Sequence, residues 1–379
     1  MDKFGIGKIG MPGFGIEGFR LPVFGSGSGV GAGSKFHPSL VDAWFMSGIS
    51  NADNPSFIKG VKGNKLQLKN FAYALSSGFG KYEHDFRTWS SVTSNRFPNV
   101  KVTDHSATIT GSRSSYFMLY SSVFVSNLKG FKIKLEGLDS IKEKLPNRNI
   151  VCAYQYYETS DGVMTRKMFR FYKDGIYSLP NSEKGSDATG FRINEYDAEH
   201  DKQLLYDTDA FNGLTITQLP SDYEGALVFD GVDDYAVCDN LPILTDYTLI
   251  CRRVIEEEEG KNYVVASKDI PNSFGAFRFE HKYENVYGTR SFGMSNPFTP
   301  SLQDSVIFQT TTSYNGVNIK RGTVIDTDVL YLSCVNGTTQ FAKDAIYYFA
   351  LYNKSLTTEE IEKQKSLLHE EWQKRLLNV

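Results

Sequence analysis

Apolar and polar residues alternate along most of this chain in short segments, the pattern of strands with one buried face. In GNKLQLKNFAY, residues 63–73, Leu66 and Leu68 alternate with polar residues and are followed by aromatic ones. Similar segments recur at intervals of roughly ten residues, separated by Gly, Asn and Asp, from residue 81 to residue 223 and again from Gly225. The sequence therefore predicts an all-β protein built from β-sandwiches.

The period of the apolar residues changes near the carboxyl end. In TTEEIEKQKSLLHEEWQKRLL they recur every three or four positions, as on one face of a helix. Thr357 and Glu360 have the spacing of a capping box. We expect a single helix that packs on a sandwich or on a neighbouring subunit. Its apolar stripe consists of Ile361, Leu368, Trp372 and Leu376.

Residues 1–35 differ from the rest because Gly recurs every two or three positions, with single apolar residues between. Such a segment loses too much backbone entropy to fold alone. A pure Gly/Ser composition would indicate a flexible linker, whereas apolar side chains on an extended chain can insert into a partner's pockets. We therefore predict an extended, Gly-rich anchoring arm over residues 1–35. The predicted anchoring residues are Phe4, Ile6, Ile9, Phe14, Ile16, Phe19 and Phe24.

Length, charge and cysteine content narrow the class of protein. A chain of 379 residues exceeds the usual single core, and its net charge of −3 lacks the basic footprint that binds phosphates. We expect no nucleic-acid partner. No apolar stretch approaches the roughly 20 residues of a membrane span, so we expect a soluble chain made in a cytosol, without membrane insertion. The four cysteines lack CxxC spacing, which favours buried thiols over a zinc or redox site.

Two stretches resemble the laminin G-like or concanavalin A-like lectin domain. They are ALVFDGVDDYAVCDNLPILTDYTLICRRV, residues 226–254, and AIYYFALYNKSLTTEEIEKQ, residues 345–364. The family also begins with a strand that contains Trp, followed by a Gly-Asn turn. Both features stand upstream, in LVDAWFMSGISNADNP and VKGNKLQLKN. The resemblance implies a concanavalin A-like (laminin G-like) β-sandwich.

The connection between the Gly-Asn turn and the FDG segment is much longer here than in that family, which indicates an insertion. Insertion at a surface loop is tolerated because the cost of loop closure grows only logarithmically with length. We predict a laminin G-like sandwich formed by residues 36–79 plus 224–379, with a second β-sandwich inserted as residues 80–223. The alternative is three domains in series.

The Gly-rich arm, NFAYALSSGFGKY and the interrupted lectin-like domain are together similar to virion proteins of phages and prophages of Bacteroidales bacteria. This resemblance implies a fibre, adhesin, tail or head-decoration subunit located in the virion. The arm would bind other virion proteins, and the sandwiches would bind cell-surface or mucus glycan. A homo-oligomer is expected, because repetition converts weak sugar contacts into firm attachment.

Candidate glycan-binding aromatics are Trp89, Tyr154, Tyr156 and Tyr157, since exposed rings can stack on sugar faces. Alternating aromatics on a strand are more often core residues. The sequence therefore leaves the glycan-binding residues unassigned.

The stretch LVFDGVDDYAVCDNLPIL, residues 227–244, places several acidic residues at a turn between two strands. Ca²⁺ takes hard oxygen ligands, which Asp233, Asp234 and Asp239 can supply together with Asp230 and Asn240. Asp and Gly also form ordinary turns, so a sandwich corner without metal explains the same residues. Calcium is the only cofactor that the sequence suggests.

An enzymatic interpretation depends on NEYDAEH, in which Glu195, Asp197 and Glu199 would share one face of a strand. A retaining glycosidase needs two carboxyl groups about 5–5.5 Å apart, and concanavalin A-like glycanases carry an E-x-D-x-E strand. The motif falls in the predicted insertion and runs into a polar stretch, which favours a solvated loop. We expect no enzyme activity. The alternatives are a polysaccharide depolymerase that uses Glu195 and Glu199, and a structural decoration protein without a ligand.

Overall fold

The structure is a computed structural model. It describes residues 35–93, 100–110, 117–121, 127–145, 152–185, 189–193, 210–256, 263–269, 275–282, 286–297, 302–323 and 325–377. Two sets of sequence-predicted residues lie outside these ranges. They are the anchoring residues Phe4, Ile6, Ile9, Phe14, Ile16, Phe19 and Phe24, and the carboxyl residues Glu195, Asp197 and Glu199.

The described residues form β-strands, two α-helices and two short 3-10 helices, Asn51–Asp53 and Phe86–Thr88. The strands and α-helices are, in chain order, β1 (Leu40–Phe45), β2 (Phe57–Lys59), β3 (Lys65–Lys69), β4 (Gly78–Lys81), β5 (Trp89–Thr93), β6 (Val100–Val102), β7 (Ser106–Ile109), β8 (Phe117–Ser121), β9 (Lys132–Glu136), α1 (Leu138–Lys144), β10 (Cys152–Ser160), β11 (Val163–Phe171), β12 (Gly175–Ser178), β13 (Gly190–Ile193), β14 (Thr215–Gln218), β15 (Asp222–Asp230), β16 (Tyr235–Cys238), β17 (Thr248–Ile255), β18 (Tyr263–Ser267), β19 (Phe277–Lys282), β20 (Val286–Ser291), β21 (Met294–Pro297), β22 (Ser305–Thr310), β23 (Ser313–Tyr314), β24 (Val317–Asn318), β25 (Leu330–Leu332), β26 (Lys343–Tyr352) and α2 (Thr358–Leu376).

The first sheet has eight strands in the order β24-β23-β22-β17-β26-β15-β4, and β1 also pairs with β26. Its strand β26 reads KDAIYYFALY and is buried along almost its whole length, because both of its faces are covered. Strands from distant parts of the chain meet there. Trp44 of β1 lies opposite Phe349 of β26 in an antiparallel pair.

The second sheet has eight strands in the order β2-β3-β16-β25-β18-β19-β20-β21, and with the first sheet it forms the main sandwich. Alternation along each strand decides which side chains face the core. In β3, Leu66 and Leu68 are buried, whereas Gln67 between them points to the opposite, outer face. Trp44 and Leu66 share one hydrophobic core with Phe229 and Phe349.

Two further sheets form an intervening sandwich between β4 and β15. Their strand orders are β11-β10-β13-β8-β5 and β12-β9-β14-β7-β6, around a separate core that contains Phe131, Tyr154 and Phe191. Its two ends are adjacent, since the Ser221 amide donates to the Lys81 carbonyl at 2.7 Å. An insertion needs this geometry. The division into an interrupted sandwich and an insert stays a prediction that fragments can test.

Helix α2 covers the outer face of the first sheet. The capping box is present, because the Thr357 hydroxyl accepts from the Glu360 amide and the Glu360 carboxylate accepts from the Thr357 amide. Trp372 is buried and its indole N–H donates to the Gly225 carbonyl at 2.9 Å. The predicted carboxyl-terminal helix and its packing on a sandwich are confirmed.

The described residues therefore form a mostly β protein of the sandwich class, with two α-helices among them. All four cysteines are buried and free, as the sequence predicted. Among the described residues, no helix combines the length and the apolar character needed to cross a membrane.

Candidate functional site

Three carboxylates meet at the turn that joins β15 in the first sheet to β16 in the second sheet. Asp230, Asp233 and Asp234 each place a carboxylate oxygen within 4.8 Å of the others, and we name these residues the acidic corner. Asp230 closes the turn, because its Oδ1 accepts the Val232 amide at 2.8 Å. Gly231 has a φ of 78°, and an added Cβ there would lie 2.9 Å from the Lys343 Cβ, so only glycine fits.

Asp234 is the buried member of the acidic corner, with no exposed side-chain surface. Its Oδ2 accepts the Asp230 amide at 3.1 Å, whereas its buried Oδ1 has no hydrogen-bond partner. Burial raises the pKa of Asp234 to about 7; the Ser77 hydroxyl lowers it in part, and the neighbouring charge of Asp230 raises it further. A buried carboxylate loses its hydration, and hydrogen bonds replace only part of it here. Its negative charge is therefore stable only if a proton or a cation neutralises it.

Asp239, which the sequence grouped with Asp233 and Asp234, lies elsewhere in the fold. The four residues of β16 lie between Asp234 and Asp239, so five residue steps separate the two, about 16 Å at 3.3 Å per strand residue. Its carboxylate accepts from the Gln67 side chain at 3.3 Å. Asp230, which the sequence also named as a possible ligand, does join Asp233 and Asp234, because the turn folds back on its own first residue.

An aromatic patch lies on the outer face of the second sheet, next to Asp239. It consists of Tyr235, Tyr331 and Phe341, all half-buried. The ring centroids of Tyr235 lie 6.5 Å from Tyr331 and 6.3 Å from Phe341. Alternation explains the orientation of Tyr331, since Leu330 and Leu332 on either side of it are in the core.

Polar groups border the aromatic patch. Asp239 is close enough to Tyr331 for its charge to add to burial, which raises the pKa of the Tyr331 hydroxyl. The side-chain oxygens of Asn336 and Gln340, in the turn before Phe341, are buried without a hydrogen-bond partner. This turn packs on Tyr235, because an added Cβ at Gly337 would lie 3.1 Å from that ring. Aromatic surface and the exposed Asp239 carboxylate therefore lie side by side.

The sequence did not single out this patch, although its signal is present. In DYAVCD and VLYLSC, each outward tyrosine stands beside residues that alternate into the core. The aromatics that the sequence did name behave differently. Trp89, Tyr154 and Tyr157 are buried, and Tyr156 is half-buried, in the intervening sandwich.

Comparison with known proteins returned solved structures only. No family model matches the chain, and no curated protein matches it. Trypanosoma rangeli sialidase in complex with the inhibitor DANA is similar at 10% identity, over 82% of this chain and 68% of that one, with a TM-score of 0.29. The same sialidase in complex with 2,3-difluoro-KDN is similar at 9% identity, over 83% of this chain and 68% of that one, with a TM-score of 0.31. A mutant of this sialidase that displays trans-sialidase activity is similar at 10% identity, over 57% of this chain and 53% of that one, with a TM-score of 0.26.

These results contradict the prediction of a phage virion fibre, adhesin or decoration subunit, which we withdraw. The similar solved structures reported above are a sialidase and a mutant of it that displays trans-sialidase activity, and none of these is a virion protein. The likeness is too low to argue for sialidase activity here. Function has to be inferred from the residues of the chain itself.

Proposed function

We propose that this chain recognises glycans and that sugar rings stack on the aromatic patch of Tyr235, Tyr331 and Phe341. One observation carries the proposal: three partly exposed rings lie together on the outer face of a sheet whose other face is fully packed core. Half-buried rings keep a fixed orientation and still offer a surface to a ligand.

The chemistry around the patch suits a carbohydrate. A ligand site typically combines apolar and aromatic walls with a few placed polar groups. Sugar hydroxyls can donate to the exposed Asp239 carboxylate beside Tyr331. Gln67 holds Asp239 from the neighbouring strand.

We also propose the finer fold, a concanavalin A-like (laminin G-like) arrangement of the main sandwich. Two eight-stranded antiparallel sheets and the pairing of β1 with β26 support it. The FDG segment supports it as well, because it forms the turn from one sheet to the other.

Glycan hydrolysis is the second candidate function. It is favoured by the E-x-D-x-E spacing of Glu195, Asp197 and Glu199, which on an extended strand puts the carboxyl groups on one face. Recognition by the aromatic patch would then hold the chain on its polymeric substrate.

A glycan array combined with an assay for reducing-sugar release separates the two functions. Recognition alone predicts array binding without sugar release. Hydrolysis predicts release that is lost in Glu195→Gln or Glu199→Gln and kept in the control Glu158→Gln, a surface carboxylate paired with Lys167. Failure to bind any glycan would contradict both.

A further inference from the structure

We propose that the Glu256 carboxylate fixes the orientation of the intervening sandwich relative to the main sandwich. It bonds the chain both where it enters the intervening sandwich and where it leaves it. We name Lys81, Tyr223, Glu256 and Lys343 the junction clamp; all four are half-buried. The proposal is independent of glycan recognition.

The main sandwich holds Glu256 from one side. Glu256 directly follows β17, and its amide donates to the carbonyl of Lys343, the first residue of β26, at 2.8 Å. The Lys343 ammonium lies 3.4 Å from Glu256 Oε2. Because β17 and β26 are paired neighbours in the first sheet, the position of the carboxylate is set by the main sandwich.

The other oxygen of the carboxylate contacts both connections between the two sandwiches. Lys81 ends β4, the strand that leads into the intervening sandwich, and its ammonium donates to Glu256 Oε1 at 2.8 Å. Tyr223 belongs to β15, the strand that leads out, and its hydroxyl donates to the same Oε1 at 2.8 Å. A single oxygen atom therefore joins the entry strand, the exit strand and the main sandwich.

The chain leaves the intervening sandwich through a strained segment. Tyr223 has a φ of 57°, which is rare for an aromatic residue, and the pairing of β15 with β4 is irregular between Asp222 and Leu227. Such a conformation persists only where the surrounding structure holds it. The bond from the Tyr223 hydroxyl to Glu256 is a restraint of this kind, and without it the exit strand can relax and change direction.

The charge of Glu256 makes these bonds stronger than those of a neutral acceptor. Burial acts to raise the pKa of its carboxyl, but the Lys81 ammonium, the Tyr223 hydroxyl and the Lys343 ammonium together hold that pKa below its usual value. The carboxylate is therefore ionised at neutral pH. An exposed ion pair would contribute little, whereas this carboxylate is partly shielded from water and has three side-chain partners.

A second contact at the junction does not involve Glu256. The Tyr82 amide donates to the Leu75 carbonyl of the main sandwich at 3.0 Å, and the Tyr82 ring stacks on His105 of the intervening sandwich, with centroids 5.0 Å apart. This contact remains when the carboxylate is removed. We therefore expect loss of the junction clamp to let the intervening sandwich rotate about Tyr82 without unfolding it.

Double electron–electron resonance on the full chain tests the junction clamp. The four native cysteines are buried, so spin labels can be directed to exposed positions on the two sandwiches by Ser178→Cys and Lys363→Cys. We expect one narrow distance in the otherwise native chain and loss of that narrow peak in Glu256→Ala. The matched control is Glu158→Ala, which removes a surface carboxylate paired with Lys167 and should keep the peak.

The outcomes separate orientation from stability. A distance peak in Glu256→Ala as narrow as in the native chain would overturn the proposal, even if the melting temperature falls, because the carboxylate would then stabilise the fold without setting the orientation. Equal broadening in Glu158→Ala would overturn it as well. If Glu256→Ala does not fold, Tyr223→Phe and Lys81→Met decide the question. Each removes one bond to Oε1 and should broaden the peak, and two unchanged peaks would contradict the proposal.

Discussion

Asp234 couples the stability of the fold to pH at the scale of a single residue. Its neighbours are Asp230 and Asp233 on the same turn, with Ser77 and Tyr73 on the facing loop. Because burial raises its pKa from 3.8 to about 7, the folded state holds a proton that the unfolded state has already lost between these values. The free energy of unfolding must therefore fall as pH rises from about 4 to about 7, and it becomes constant above pH 7 as far as this group is concerned.

In calcium-free buffer, Asp234→Asn should remove this loss, since the amide carries no charge to desolvate. We expect the native chain to lose about 3 kcal/mol of unfolding free energy between pH 4.5 and 8 from this group, and Asp234→Asn to lose less. Asp344, whose pKa burial also raises to about 7, adds a slope of the same sign in both proteins. Urea unfolding at the two pH values measures the difference, and identical slopes would contradict the prediction.

The position of Asp239 shows which side-chain neighbours the spacing of residues in the sequence can predict and which it cannot. Nearness in the chain suggested that Asp239 joins Asp233 and Asp234, but a strand of four residues carries it away from them. The same alternation points it to the outer face with Tyr235. Strand period could have predicted this separation, whereas the return of Asp230 onto Asp234 depends on the turn geometry.

At the scale of an element, helix α2 also has features that the sequence predicts and one that it does not. The stripe of Ile361, Leu368 and Trp372 is buried as predicted, because a helical period with a capping box is a strong local signal. Gln364 is buried too, which the pattern of apolar residues could not show. Its side-chain oxygen accepts from the His37 amide at 3.0 Å and the Tyr352 hydroxyl at 3.2 Å, partners that only the tertiary fold supplies.

Removing the helix contacts should destabilise the main sandwich. Trp372 packs edge-on against Tyr347, with its ring centroid 5.6 Å away, and stacks with the Arg252 guanidinium. We expect Trp372→Ala to cost about 3–5 kcal/mol and Thr357→Ala about 1 kcal/mol. Gln373→Ala, at an exposed position on the same helix, is the control. Urea unfolding that finds all three alike would show that the helix is not docked as described.

At the scale of the whole molecule, the main sandwich depends on strands from both sides of the intervening sandwich. β1 pairs with β26, β3 with β16 and β4 with β15. The sequence motifs could predict that these segments belong together. They could not give the register or the full strand order, which depend on long-range pairing.

Replacing residues 81–222 with a short Gly/Ser linker should leave a folded main sandwich, because its entry and exit strands are hydrogen-bonded neighbours. Residues 224–379 alone should not fold. That fragment lacks Trp44, Leu66 and Phe79, core side chains worth about 2–5 kcal/mol each against a total stability of about 5–15 kcal/mol. Circular dichroism and thermal melting measure both. A cooperative transition in residues 224–379 would overturn the interrupted-domain prediction.

Glycan recognition by the aromatic patch is tested most directly by calorimetric titration of a glycan ligand, first found on the array, into native chain, Tyr331→Ala and Tyr331→Phe. An aromatic contact is worth about 0.5–1.5 kcal/mol, so we expect Tyr331→Ala to weaken binding by about 3–10-fold and Tyr331→Phe to retain most of it. Tyr172→Ala, which removes an exposed ring of the intervening sandwich, should bind as the native chain does. Unchanged affinity in Tyr331→Ala, or an equal loss in Tyr172→Ala, would contradict recognition by the patch.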